Sequence, residues 1–146
     1  MSTTLIDDVT WAQLLRERAE RPSNFLEAVT SRRRRPLMGP DRRLLIVAAD
    51  HTARAIVAAG DQPFALANRR DLLDRLTRIL RHPKVDGLLA SADIVEELAW
   101  LGALEEKLVF GTMNRGGYLG ATWGLDDRMT AYDAEHVARL GLDGGK

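Results

Sequence analysis

Leu44-Leu45-Ile46-Val47-Ala48-Ala49-Asp50-His51 is an unbroken apolar run closed by two polar residues, with Gly39 and Pro40 marking a turn upstream. A run of this length and composition reads as a strand buried on both faces, as strands of a parallel sheet are. Val85 to Ser91 and Leu108 to Met113 repeat the pattern, and Leu142-Asp143-Gly144-Gly145-Lys146 opens a fourth strand. Helices are expected between them. Phe64 to Leu80 places Leu66, Leu72, Leu73, Leu76, Ile79 and Leu80 on one face and Arg69, Arg70, Arg75 and Arg78 on the other. Ala92 to Trp100 follows, broken at Gly102, and then Thr130 to Leu140, capped by Thr130 or Asp133. Strands alternating with helices at this spacing imply βαβ units, right-handed crossovers and an α/β fold with a parallel sheet. Val85-Asp86-Gly87 and Leu142-Asp143-Gly144 echo each other, each following a helix exit and opening a strand.

Upstream of the first strand, residues 3–21 read as a helix capped by Asp7 or Asp8, with Trp11, Leu14, Leu15 and Ala19 at helical spacing. A second helix starts at Ser23 and includes Phe25, Leu26 and Val29. Ser31-Arg32-Arg33-Arg34-Arg35-Pro36 then reads as an exposed basic link. The expected organisation is a helical lead-in and linker over 1–43, followed by the βα units over 44–146.

The 146 residues are enough for one real core. Twenty-one basic residues balance 21 acidic ones, so no net charge draws the chain to nucleic acid or a membrane surface. There is no cysteine, hence no disulfide or thiolate metal site. MSTTLIDDVT lacks the basic and apolar regions of a secretory signal, and no apolar run approaches the ~20 residues that span a bilayer. A soluble cytoplasmic protein is expected.

Two architectures accommodate four βα-linked strands. An open nucleotide-binding sheet calls for a glycine-rich turn after its first strand, but no glycine follows Asp50 until Gly60, and GxGxxG and GxxxxGK[ST] are absent. The other is the first half, strands 1 to 4, of a (β/α)8 barrel, whose whole takes roughly 250 residues. Polar residues at the C-terminal ends of barrel strands face the site. Asp50, Ser91, Asn114 and Lys146 lie there, one per strand, and favour the half-barrel.

These strand ends resemble those of the class I, Schiff-base aldolases of the deoxyribose-phosphate, archaeal-type fructose-bisphosphate and tagatose-bisphosphate group. Leu45 to His51 is similar to that group's first strand, and Gly141 to Lys146 to its G-A-D-x-x-K strand. Arg33 to Leu37, Met113 to Gly117 and Leu125 to Arg128 resemble an actinobacterial aldolase-like branch. The resemblance runs from Arg32 onward and implies a lyase that makes or breaks a C–C bond in a sugar phosphate or related carbonyl compound, with no cofactor. In such proteins the Schiff-base lysine lies on the sixth strand, and a fourth-strand lysine binds or polarises the substrate. Lys146 would then hold the supporting role, and the chain would lack the nucleophile. The same local pattern surrounds the nucleophile of the deoxyribose-phosphate branch, so the pattern alone leaves both roles open.

Aldol chemistry needs an amine of lowered pKa and a carboxylate that moves the carbinol proton. Asp50 suits the second task, or alternatively caps the turn beside Thr52. Ser91 and Asn114 are candidate ligands for a substrate hydroxyl, or ordinary caps. His51 is a substrate-binding or rim residue. Arg115, beside paired glycines, is a candidate phosphate or carboxylate fork, or a surface arginine. The glycine-rich loop Asn114 to Gly120 could cradle phosphate. Asp126-Asp127-Arg128 organises the loop over the site or caps the next helix. His82 and His136 show no metal-ligand spacing, and no metal is expected.

The competing expectation is a non-catalytic half-barrel whose free strand edges and apolar inner face lead it to pair with a second copy or a complementary half. Nucleic-acid binding through Arg32 to Arg35 is a third possibility, opposed by net neutrality and the lack of an aromatic platform.

Overall fold

The computed structural model describes residues 4–114 and 131–146. The expectations placed on Arg115 to Thr130 (the arginine fork, the glycine-rich stretch, Asp126-Asp127-Arg128 and the Thr130 cap) lie outside the described residues.

Four parallel strands form one sheet in the order β1-β2-β3-β4. They are β1 (Ile46–Ala49), β2 (Gly87–Ala90), β3 (Leu108–Gly111) and β4 (Gly144–Gly145). Helices α1 (Asp8–Glu20) and α2 (Ser23–Ser31) precede the sheet. Helices α3 (Arg69–Leu80), α4 (Ala92–Trp100) and α5 (Ala134–Arg139) lie in the three connections, and a 3-10 turn over Thr52–Arg54 follows β1. The chain is therefore an α/β protein with a four-stranded parallel sheet. No described helix is long and apolar enough to cross a membrane.

Local chemistry sets the helix starts. The Asp7 side chain accepts from Thr10 N, Asn68 from Asp71 N and Asp133 from His136 N. Helix α3 thus begins at Arg69, five residues later than the apolar pattern suggested, and Phe64 is exposed. Helix α1 begins at Asp8 rather than residue 3. The segment before it is tied down by Asp74, whose Oδ1 accepts from Leu5 N (2.5 Å) and Ile6 N (2.9 Å). Leu14 is buried as expected, but Leu15 and Ala19 face solvent, as does Leu26 of α2.

One core joins the N-terminal helices to the sheet. Phe25 and Val29 of α2 bury with Leu73 and Leu80 of α3, with Ile94 and Leu98 of α4, and with Leu88 and Val109 of the strands. Phe25 stacks on Trp100, with the Arg18 guanidinium on its ring. Val47, Ala49, Leu88, Ala90 and Val109 all face this core. Alternation sends Ala48, Leu89 and Phe110 to the opposite face. These three are paired in register, belong to no part of that core, and leave Ala48 exposed and the others half-buried. This corrects the expectation of a first strand buried on both faces. The described helices cover one face only.

The expectation of an exposed basic link holds for Arg33 and Arg34 and is corrected at Arg32. Arg32 is buried, its side chain 1% exposed. It donates to the carbonyls of Val29 (2.8 Å) and Gly141 (2.7 Å) and pairs with Asp143 Oδ2 at 3.4 Å. Arg34 takes Asp143 Oδ1 at 3.0 Å, Arg33 takes Glu105 at 2.9 Å, and Arg35 takes Asp86 at 2.6 Å. The two aspartates of the sequence echo do equivalent work. Asp86 Oδ2 accepts Leu45 N at 2.7 Å, and Asp143 Oδ2 accepts Val109 N at 2.8 Å. Each stitches the entry of its own strand to its neighbour, and the arginine run neutralises both.

Candidate functional site

The register of the strands carries one polar row past their C-terminal ends. Ala49, Ala90, Gly111 and Gly145 are paired across the sheet. The next residue on each strand is Asp50, Ser91, Thr112 and Lys146. The ladder continues through this row, with Thr112 N donating to Ala90 O at 2.9 Å and Lys146 N to Gly111 O at 3.0 Å. By alternation the row belongs to the helix-free face, two residues beyond Ala48, Leu89 and Phe110.

Lys146 Nζ donates to Asp50 Oδ2 at 2.6 Å, although β2 and β3 lie between their strands. A flat sheet would hold β1 and β4 ~14 Å apart, more than these two side chains bridge together. The contact therefore requires the sheet to curl toward its helix-free face. Asp50 is buried, its side chain 5% exposed, while Lys146 keeps 47% exposure and remains open to solvent. Burial disfavours the Asp50 carboxylate, but the hydrogen bond and charge of Lys146, with the charge of Arg54, outweigh it and hold the carboxyl below its ordinary range. Asp50 is not spent on a cap: the residue at the head of the 3-10 turn is His51.

Thr112 Oγ1 is buried and meets no hydrogen-bond partner among the described residues, and Ser91 Oγ is also buried, with the Asp93 carboxyl beside it. Ser91 stands at the N-cap of α4 without using its hydroxyl there. Asn114 Oδ1 accepts from Arg54 NH2 at 3.2 Å, and the same nitrogen lies 3.9 Å from Asp50 Oδ2. Asp50, Ser91, Asn114 and Lys146 are thus gathered at one edge of the sheet. His51 is not among them. It is exposed and lines an apolar groove of about 180 Å³ between β1 and α3, with Val47, Leu66, Leu72, Leu76 and Ile79. Arg115 lies outside the described residues. Among the described residues no group of His, Asp and Glu is arranged to hold a metal ion.

Two site residues escape a reading of strand ends. Thr112 hides inside the apolar run that defines β3, and only the register shows it level with Lys146. Arg54 sits four residues past Asp50 in a turn, where its spacing gives one signal, an i,i+4 acid–base pair.

Together these groups offer a carboxylate held ionised, an ammonium beside it, two buried hydroxyls and a second cation. Such a set can bind a polar ligand through its oxygens, stabilise a developing oxyanion and accept a proton from a hydroxyl.

A search of curated proteins finds no match. Among solved structures, that of Cgl0159 from Corynebacterium glutamicum (Brevibacterium flavum) superposes with a TM-score of 0.93 at 43% sequence identity. The alignment covers 98% of this chain and 48% of the other, so the chain spans about half the length of that relative. The family model described as Cgl0159-like matches residues 42–146, from the segment before β1 to Lys146. The chain belongs to the Cgl0159-like family.

Proposed function

We propose that the chain carries part of the active site of a class I aldolase-like lyase, acting on a sugar phosphate or related carbonyl compound. The observation that carries this reading is the 2.6 Å contact of Lys146 with Asp50 across two intervening strands. In the same reading the sheet is the first half of a (β/α)8 barrel. The sequential parallel order, the curl that the contact demands, and a polar row at the C-terminal edge all favour it.

Retro-aldol cleavage takes a proton from the carbinol hydroxyl, breaks the adjacent C–C bond and sends its electrons toward a carbonyl or iminium carbon. Asp50, ionised and buried, accepts the hydroxyl proton. Lys146 Nζ, which donates to Asp50, also donates a hydrogen bond to the substrate oxygen and stabilises the negative charge that grows there. Ser91 and Thr112 supply hydroxyls for further substrate oxygens. The amine that forms the Schiff base belongs, by the resemblance, to a later strand of the barrel.

A second reading has its own observation. The helix-free face exposes Ala48 and half-exposes Leu89 and Phe110, which suits a non-catalytic half-barrel covered by a second copy or a complementary half. Borohydride reduction in the presence of dihydroxyacetone phosphate or acetaldehyde, read by mass spectrometry together with ligand binding, separates these cases. The lyase reading expects saturable binding of dihydroxyacetone phosphate and no adduct on Lys146. An adduct lost in Lys146→Ala would make Lys146 the nucleophile instead. Absence of both binding and adduct would leave the half-barrel reading.

A further inference from the structure

Arg54 enters the site from the β1 side and reaches across the end of β2 to Asn114, at the end of β3. Its backbone is fixed by the 3-10 turn, where Arg54 N donates to His51 O at 2.9 Å and Ala55 closes the turn in the left-handed region at φ 60°. Among the described residues the guanidinium is engaged through NH2 alone. Its Nε is buried and meets no partner among them, while the side chain as a whole keeps 22% exposure. A buried donor left without its hydrogen bond is disfavoured unless something rewards it.

The neighbouring acid does not supply the reward. Asp50 gives its short contact to Lys146 at 2.6 Å and stands 3.9 Å from Arg54. Two cations, Lys146 and Arg54, face one carboxylate, which leaves a side-chain charge of +1 among the described groups of the site. A guanidinium offers five donors in a planar fork that matches two oxygens of a carboxylate or phosphate. A small rotation of the Arg54 head would present its side-on edge, Nε with NH2, to such a pair and make the missing bond.

We propose that Arg54 is the anion-recognition residue of this site, binding a phosphate or carboxylate group on the ligand whose carbonyl oxygen lies at Lys146. The proposal rests on the function given above only for that carbonyl; the anion contact stands separately. It therefore specifies a bifunctional ligand, with an oxyanion at one end and a polarised carbonyl at the other.

Two-dimensional 1H–15N NMR of the arginine Nε–H groups in the full chain tests it, with inorganic phosphate and acetate as probes. The Arg54 resonance, identified by its loss in Arg54→Lys, should shift saturably with at least one probe. The probe that saturates at lower concentration names the anion. The affinity measured on backbone signals around Asn114 should fall at least tenfold in Arg54→Lys, since a lysine lacks the fork. Shifts no larger than those of exposed Arg16 and Arg42 with both probes would overturn the proposal, as would binding unchanged in Arg54→Lys. Phosphate binding at Arg54 without any effect of dihydroxyacetone phosphate at Lys146 would instead defeat the lyase reading and leave the anion site standing.

Discussion

The buried guanidinium of Arg32 lies against Asp143, three residues before Lys146, and fixes the strand that carries the lysine to the helices that begin the chain. Asp143 holds Arg32, Arg34 and the Val109 N–H at once. The basic run, read from sequence as a solvated link, is a clasp.

Removal of that clasp should be expensive. Asp143→Ala leaves a buried cation without its counter-ion and a strand N–H without its acceptor, at a cost of about 3 kcal/mol. Asp143→Asn keeps an acceptor for Val109 and should cost clearly less. Urea unfolding of both variants measures the difference, and equal losses would show that the charge of Asp143, and not its acceptor for Val109, is what it contributes.

The depressed carboxyls set the acid response. Asp50 is opposed by burial but held ionised by Lys146 and Arg54, and Asp74 by the N–H groups of Ile6 and Leu5 and by Arg78. Such groups add stability that is complete above the unfolded-chain value of about 3.9 and is lost as pH falls through the lower folded value. Stability should therefore be flat near neutrality and decline on acidification below pH ~4. Asp50→Asn should lower stability at pH 7 by about 1 kcal/mol, because Lys146 stays half in solvent, and should make the acid decline shallower. Thermal unfolding across that range would show it.

How far the sequence could be read follows from which forces act locally. The strand cores at Ile46–Ala49, Gly87–Ala90 and Leu108–Gly111 fall inside the quoted apolar runs, because burial on a parallel sheet selects such runs. Helix α4 was placed to the residue. Phe64 was drawn into α3 because apolar spacing carries no mark for a cap, whereas Asn68 settles the start by taking Asp71 N. Apolar composition says what a strand tolerates and not what covers it, hence the mistaken second buried face. The acidic partners of Arg32, Arg34 and Arg35 lie 51 to 111 residues away, and no local pattern reveals them. At the site, Asp50 and Lys146 were legible as strand ends, but their meeting depends on the curl of the sheet.

Gly87 on β2 has no room for a side chain beside β3. A Cβ there would collide with the carbonyl oxygen and side chain of Leu108, its register partner on β3. The obstacle is backbone, so no side-chain rotation relieves it. Gly87→Ala should destabilise the protein by about 1–3 kcal/mol and weaken amide protection along β2 and β3 in hydrogen exchange. Unchanged protection would mean the strands separate at no cost.

The central claim, that Asp50 and Lys146 form the carbonyl-binding heart of the site, is tested most directly by calorimetric titration of dihydroxyacetone phosphate into the wild-type chain, Lys146→Met and Asp50→Asn. Loss of a charged hydrogen bond of about 1.5–3 kcal/mol predicts saturable binding to the wild type that weakens at least tenfold in Lys146→Met and measurably in Asp50→Asn. Binding of equal strength to all three proteins, or none to the wild type, would contradict it.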